Sequence, residues 1–381
     1  MKEGWTYKKL GDIAVSMADG PFGSNLKAEH YTQNREVRII QLSNIGEEGW
    51  RDENKKYTTY NHLETIKRSE VCPGDIVIAK MMPAGRAVIC PNIDSKYVLS
   101  SDAVRVTLKE KIDHKFIYYA INSPYFRKQV YENVSGSGRV RTSLTKLKDC
   151  VIGTPTFSEQ KRIVSRLDAA FSHIDELKAN AEKQLSEARA LFQKSLAKSM
   201  EPKEGWKEKR LPDISENLDS KRVPVTKKDR ENGIYPYYGA SGIVDYVNDY
   251  LFDEDLLCIS EDGANLLMRT YPIAFPISGK VWVNNHAHVL RFKDMSTQKF
   301  IEYYFSGIKL DEFITGAAQP KLTQKALNNI PVYIPSLHEQ QRIVERLDAL
   351  SAHVRELEEN QKKIISECDA LKQALLRKVF E

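Results

Sequence analysis

The sequence is poor in the features that mark several large protein classes. Five cysteines (Cys72, Cys90, Cys150, Cys258 and Cys368) are few, odd in number and widely spaced. That argues against a disulfide framework and a zinc site, and it predicts reduced thiols in a cytoplasmic protein. No apolar run approaches the roughly 18–20 residues that a membrane span needs. No apolar stretch follows Met1-Lys2-Glu3-Gly4-Trp5-Thr6-Tyr7-Lys8-Lys9, so no secretory leader is expected either. There is no strong excess of one charge: Lys and Arg number 57 against 52 Asp and Glu, a net +5. A balance this close to neutral permits nucleic-acid binding without arguing for it, because a local patch matters more than the sum.

What the chain has is enough to fold. Hydrophobic residues make up 41% and aromatics 9% of 381 residues, which predicts real cores in about two to three domains. It also repeats itself. Glu3-Gly4-Trp5 with Leu10, Asp12 and Ile13 recurs as Glu204-Gly205-Trp206 with Leu211, Asp213 and Ile214, an offset of 201. Residues 159–177 recur at 339–357 with 12 identities in 19 positions, an offset of 180, so the first copy is 21 residues longer. A weaker match sets Lys115-Phe116-Ile117 against Lys299-Phe300-Ile301. The order is lobe, helix, lobe, helix. The helices repeat while the lobes diverge, the pattern of a shared mechanical part carrying two different recognition surfaces.

Thr156-Phe157-Ser158-Glu159 and Ser336-Leu337-His338-Glu339 read as capping boxes, each just after a proline. Neither following segment holds Gly or Pro until Pro202 and the chain end, so each helix can run about 42 residues, roughly 60 Å. The second helix places Ile343, Leu347, Leu350, Val354, Leu357, Ile364, Cys368, Leu371 and Leu375 on a heptad seam, with Gln361 as a polar interruption. The first runs Ile163, Leu167, Ala170, Ile174, Leu177 and Ala181, then takes an extra step of four to Leu185, a stutter. Stripes this narrow on helices this long predict that the two pack on each other as an antiparallel coiled coil, giving a pseudo-twofold molecule. The expected boundaries are lobe 1 at 1–155, helix at 156–201, lobe 2 at 202–335 and helix at 336–381. Charged outer helix faces ordinarily serve solvation. The repeat of Arg162 as Arg342, and of Arg166 as Arg346, points instead to partner docking.

Both lobes read as α/β (α+β) with short strands and abundant turns. Their loops carry side chains suited to bases and phosphates, with glycines that let the backbone come close. In the first lobe these are Ser24, Asn25, Lys27, Gln41, Asn44, Lys80, Arg86, Arg139 and Arg141. In the second they are Tyr238, Ser241, Asn265, Asn284, Asn285, His286, Gln319 and Lys321. Arg86, Arg139, Asn285 and Gln319 are the leading candidates for such contacts.

Enzymatic sites fail inspection. Ser278-Gly279-Lys280 lacks the upstream glycine of a phosphate-binding loop. Asn122-Ser123-Pro124-Tyr125 resembles the Asn-Pro-Pro-Tyr motif of adenine N6-methyltransferases, but it lacks the second proline and no methyl-donor loop precedes it; it reads as a helix-to-helix turn. His286 and His288, two apart on a strand, share a face but have no third ligand nearby, so they read as hydrogen-bonding residues and not as a metal site. Two other classes remain open on residues alone: a stand-alone methyltransferase, and a coiled-coil adaptor joining two protein-binding lobes.

Taken together, the pattern resembles the specificity (S) subunit of type I restriction–modification systems. The resemblance rests on Pro155–Ala169 and Pro335–Ala349, which share Pro-x-x-x-Glu-Gln-x-Arg-Ile-Val-x-Arg-Leu-Asp-Ala. It rests also on Gln319-Pro320-Lys321-Leu322-Thr323, and on the Trp-x-x-x-x-Leu-x-Asp-Ile openings at Trp5 and Trp206. The first lobe departs at Gly138-Arg139-Val140-Arg141, where the Gln-Pro pair is absent. The resemblance implies two target recognition domains, each reading half of a bipartite asymmetric double-stranded DNA target. It implies helices that set the spacing and dock two methyltransferase subunits, and restriction subunits in the full complex. It implies no catalysis, cofactor, metal or membrane contact in this chain: S-adenosylmethionine, ATP and Mg would belong to the partners, which methylate adenine and cut DNA in host defence.

Overall fold

The structure is a computed structural model that describes residues 2–81, 83–132, 141–316 and 319–381. The chain folds as two compact units, Met1–Ala181 with Lys363–Glu381, and Glu182–Lys362. Each holds one lobe, part of the long helix Phe157–Met200 and part of the long helix Leu337–Phe380. All five cysteines are free thiols. Among the described residues no helix is long and apolar enough to cross a membrane.

The two lobes share a plan. In the first, a four-stranded antiparallel sheet runs in the order Ala14–Asp19, Ala103–Leu108, Ile76–Ala79, Ala87–Ile89. In the second, the order is Ser215–Asn217, Ala287–Phe292, Leu256–Ser260, Ala274–Ile277. A second sheet in each lobe contains one parallel pair, Val37–Ile40 with Tyr97–Leu99 and Asn232–Gly239 with Lys280–Val283. A short ribbon closes each lobe by pairing its opening strand with the strand ahead of the long helix: Thr6–Lys9 with Val151–Thr154, and Lys207–Lys209 with Val332–Ile334.

The sequence repeats meet in space within each unit. Trp5 packs on Phe116 with ring centroids 5.8 Å apart, and Trp206 packs on Phe300 at the same separation. Phe116 and Phe300 lie fully buried on helices His114–Ile121 and Met295–Gly307. Gly4 and Gly205 both take positive φ (76° and 88°), which lets the chain turn just before each tryptophan.

The repeated helix starts form a joint to their own lobes. Thr156 Oγ1 and Ser336 Oγ accept from the Glu159 and Glu339 amides, the first half of the expected capping box. Gln160 donates to the Pro155 carbonyl and accepts from the Asp113 amide; Gln340 donates to the Pro335 carbonyl and accepts from Thr297 Oγ1. Both glutamines are buried, as are Leu167 and Leu347.

Within each unit the helix segments pack antiparallel. In the first, Lys178 bonds Asp369 at 2.9 Å and Lys372 bonds Asp175, while Val164 and Leu167 share a core with Leu376 and Phe380. In the second, Arg189 bonds Glu358 and Gln361 donates to Gln184, while Leu196 and Met200 share a core with Ile343, Val344 and Leu347. The seam differs in detail from the heptad expectation. Leu177, Ile364 and Leu371 are 57%, 38% and 48% exposed, while Gln361, the expected polar position of the seam, is buried. Next to Leu177 and Leu371, Lys178 and Lys372 are mostly buried instead, and their ammonium heads reach Asp369 and Asp175 on the facing helix segment.

Candidate nucleic-acid interface

Both four-stranded sheets end in the same loop scaffold. In lobe 1 the Lys80 amide donates to the Asp102 carbonyl (2.8 Å), and the Thr142 amide donates to the Lys80 carbonyl (2.9 Å). In lobe 2 the Glu261 amide donates to the His286 carbonyl (2.9 Å), and the Leu322 amide donates to the Glu261 carbonyl (2.7 Å). An isolated bridge joins Met81 to Arg141 in one lobe and Asp262 to Lys321 in the other. Lys80 therefore holds the place of Glu261, Asp102 that of His286, and Arg141 that of Lys321. Each set gathers at the sheet end because it follows one strand, precedes its neighbour, or leads into a short helix, Leu144–Asp149 or Gln324–Asn329.

The same backbone carries different chemistry. In lobe 1 Lys80 Nζ lies 2.7 Å from Asp19, and Arg141 lies 2.7 Å from Asp102 with half of its side chain exposed. In lobe 2 Glu261 is the hub: Arg222 reaches it at 2.7 Å and Lys321 at 3.2 Å. Both ring nitrogens of the fully buried His288 face oxygens, Nδ1 the Asp219 carboxylate at 2.6 Å and Nε2 the Leu322 carbonyl at 2.8 Å. Burial works against ionisation of Asp219, but the His288 bond, the Val289 amide and Arg222 hold its carboxyl below the usual value. His286 sits outside this network, exposed, against Asp262 at 2.9 Å.

The expectation that His286 and His288 share a face is not met, because His286 precedes the strand Ala287–Phe292. Asp219, Glu261 and His288 do bring donor atoms within 4.8 Å of one another. Arg222 and Lys321 already neutralise those carboxylates, so the set fits an ion-pair network better than a cation site.

The remaining expected residues divide by what their side chains already do. Ser24, Asn25 and Lys27 are exposed on the loop that leaves strand Ala14–Asp19. Asn285, Gln319 and Lys321 are exposed in lobe 2. Ser241 is exposed in the turn beside Ser260, whose hydroxyl donates to the Ala240 carbonyl. Tyr238 is half-buried, stacked on Phe275, and its carbonyl accepts from the Asn284 amide. Three other residues are occupied internally. Asn44 is fully buried and donates to the Arg51 and Glu53 carbonyls. Asn284 is buried and accepts from the His286 amide. Asn265 closes a turn by exchanging two hydrogen bonds with Tyr271. Gln41 caps the same turn as Asn44, and Arg86 donates to the Leu42 carbonyl, where burial presses its pKa below the ordinary value. Arg139 lies outside the described residues.

Sequence reasoning missed Asp19, Asp102, Asp219, Arg222 and Glu261. It searched loops for groups that bind bases and phosphates, not for the acids that position them. The Asp19-Gly20 and Asp262-Gly263 turns were the available signal. On the helix starts, Arg162, Arg166, Arg342 and Arg346 are all exposed, with Arg162 paired to Glu159 and Arg342 near Glu339. Asn122 holds the helix-to-helix turn expected of it, bonding the Ala87 backbone through both amide atoms.

Residues 2–187 and 203–367 match the type I restriction modification DNA specificity domain, and the chain belongs to that family. It is 37% identical over 147 residues to a putative type I restriction enzyme specificity subunit of Haemophilus influenzae, covering 39% of this chain and 37% of the relative. It is 26% identical over 192 residues to the MjaVIII specificity subunit of Methanocaldococcus jannaschii, covering 49% of this chain and 44% of that one. The matched stretch thus spans less than half of either curated relative. The fold is similar over 100% of this chain and 98% of the other to a chain from a type I R-M system solved in a study of complex assembly (TM-score 0.78, 18% identity). It is also similar over 100% of this chain and 97% of the HsdS subunit from Thermoanaerobacter tengcongensis (TM-score 0.59, 18% identity).

Proposed function

We propose that this chain is the DNA-reading subunit of a type I restriction–modification complex, with each lobe reading one half of a bipartite, asymmetric target. The observation that carries this reading is the duplicated loop scaffold. One backbone arrangement sets exposed Arg141 beside the buried, ion-paired Lys80 in the first lobe, and exposed His286 and Lys321 beside the buried, ion-paired Glu261 in the second. Two surfaces built alike but charged differently suit two different short sequences read in the same manner. The long helices set the distance between the halves. The exposed arginines at their starts, Arg162 and Arg166 with Arg342 and Arg346, seat two methyltransferase subunits. Restriction subunits complete the complex. The chain performs no chemistry itself; S-adenosylmethionine, ATP and Mg serve the partners.

The test is to map methylated adenines in cells that express this chain with its modification subunits, and in cells lacking only this chain. The expected result is one asymmetric sequence interrupted by an unread gap, unmethylated when the chain is absent. A continuous sequence, or methylation indifferent to the chain, would overturn the reading.

A further inference from the structure

Phe22 is 82% exposed, more than any other large apolar side chain among the described residues. It is not on a loose loop. The Gly20 amide donates to the Ala103 carbonyl at 3.0 Å, and Ser69 Oγ donates to the Asp19 carbonyl at 2.9 Å. The loop lies so close to the neighbouring strand that a Cβ on Gly20 would sit 1.7 Å from the Ser100 carbonyl oxygen. Pro21 is buried. On the other side, the Asn25 amide donates to the Phe22 carbonyl at 2.7 Å, and His62 Nε2 bonds the Asn25 carbonyl at 2.9 Å. The fold therefore clamps the backbone on both sides of Phe22 and points its ring into solvent, where it stacks on no other ring among the described residues.

The surroundings of that ring are charged, with one cation left unpaired among the described residues. Phe22 lines a cleft of about 670 Å³ with Arg68, Lys80, Arg141, Asp19 and Asp102, at the sheet end described above, where Lys80 pairs with Asp19 and Arg141 with Asp102, both at 2.7 Å. Arg68 is exposed and makes no ion pair among the described residues. A single rigid apolar ring in a charged cleft, with the Arg68 guanidinium at its rim, does not match the broad apolar core of a protein interface. It matches a duplex, whose phosphates meet Arg68 while an apolar side chain enters the base stack.

We propose that Phe22 is a wedge that inserts at a base step of the half-target bound by the first lobe. This rests on the reading of the chain as a DNA-recognition subunit. The equivalent loop of the second lobe carries no such ring: after strand Ser215–Asn217 the chain buries Leu218 and turns through Asp219–Lys221. The wedge therefore acts on the first lobe's half of the target.

The experiment uses the full chain assembled with its methyltransferase subunits, on target duplexes carrying 2-aminopurine at successive positions outside the methylated adenines. With the native chain, fluorescence rises at one step in the first lobe's half on binding. Phe22→Ala, at an exposed position, abolishes that rise and weakens binding about tenfold, while the salt dependence is unchanged because no phosphate contact is lost. Phe22→Trp restores the rise. If the native complex binds and no Phe22-dependent signal appears at any step, the wedge is wrong and the DNA-recognition reading stands. If the native complex does not bind DNA at all, both fall.

Discussion

The Tyr119 hydroxyl donates to the Asp168 carboxylate at 2.5 Å, and Tyr303 makes the same bond to Asp348. In each unit this bond ties a lobe helix to the first turns of a long helix, with Lys115 or Lys299 beside the same carboxylate. Burial, then the neighbouring carboxylate, pushes both phenols up in pKa. The repeated motif is thus divided by face. Gln160, Leu167 and Asp168 build the joint to the lobe, while Arg162 and Arg166 point outward.

The joint is expected to stabilise each unit. Tyr119→Phe and Tyr303→Phe should each cost about 1–2 kcal/mol, the range for a hydrogen bond to a charged partner that keeps some solvent contact. Lys115→Ala should cost less, since that ion pair is half exposed. Urea unfolding with a double-mutant cycle on Tyr119 and Asp168 checks this: a coupling energy near zero would contradict it.

Assembly should depend on the outward face. Arg166→Glu together with Arg346→Glu should weaken binding of methyltransferase subunits by tenfold or more while leaving the circular dichroism spectrum unchanged. Mass photometry of reconstituted complexes decides it, and full assembly of the double variant would remove these arginines from the docking surface.

The helices and the repeat were legible because both signals are periodic. Capping boxes, unbroken helical stretches and doubled motifs lie in local order along the chain, and the helices begin within a residue or two of the expected positions. The inward face was less legible. Apolar spacing favoured Leu177 and Leu371, but a lysine with a carboxylate opposite can occupy a seam as well as a leucine can, and only the partner's position reveals that. The sheet-end clusters were half legible. Lys80, Arg141, His286 and Lys321 stood out as loop residues, but their equivalence between lobes rests on strand order, and the acids that hold them come from segments far apart in sequence. Asn44, Asn265 and Asn284 show the opposite error: an asparagine suited to a base edge is equally suited to closing a turn.

The second lobe's network should make stability depend on acid. The folded pKa of Asp219 lies below its unfolded value of about 3.9. Its contribution is therefore full above pH 4 and lost as pH falls through the folded value. Asp219→Asn should be destabilising at pH 7 and progressively less so as pH falls below about 4, read from urea midpoints across that range. A penalty independent of pH would contradict the assignment.

Recognition should be separable by lobe. Asn285→Ala and Lys321→Ala should relax or abolish the half read by the second lobe and leave the other half unchanged, because their loops lie entirely within that lobe. Methylated-adenine mapping of each variant shows which half changes, and altered preference in both halves would contradict independent reading.

The proposed function has helix length set the unread gap between the two halves of the target. It is tested most directly by inserting seven residues into each long helix, after Ala181 and after Lys362, the points where the chain passes between its two units. A heptad adds about 10 Å to a helix and returns it close to the same face. Mapping methylated adenines with this variant should show both recognised halves unchanged and the unread gap longer by about three base pairs, at roughly 3.4 Å per pair. A gap that keeps its native length while methylation persists would contradict the account.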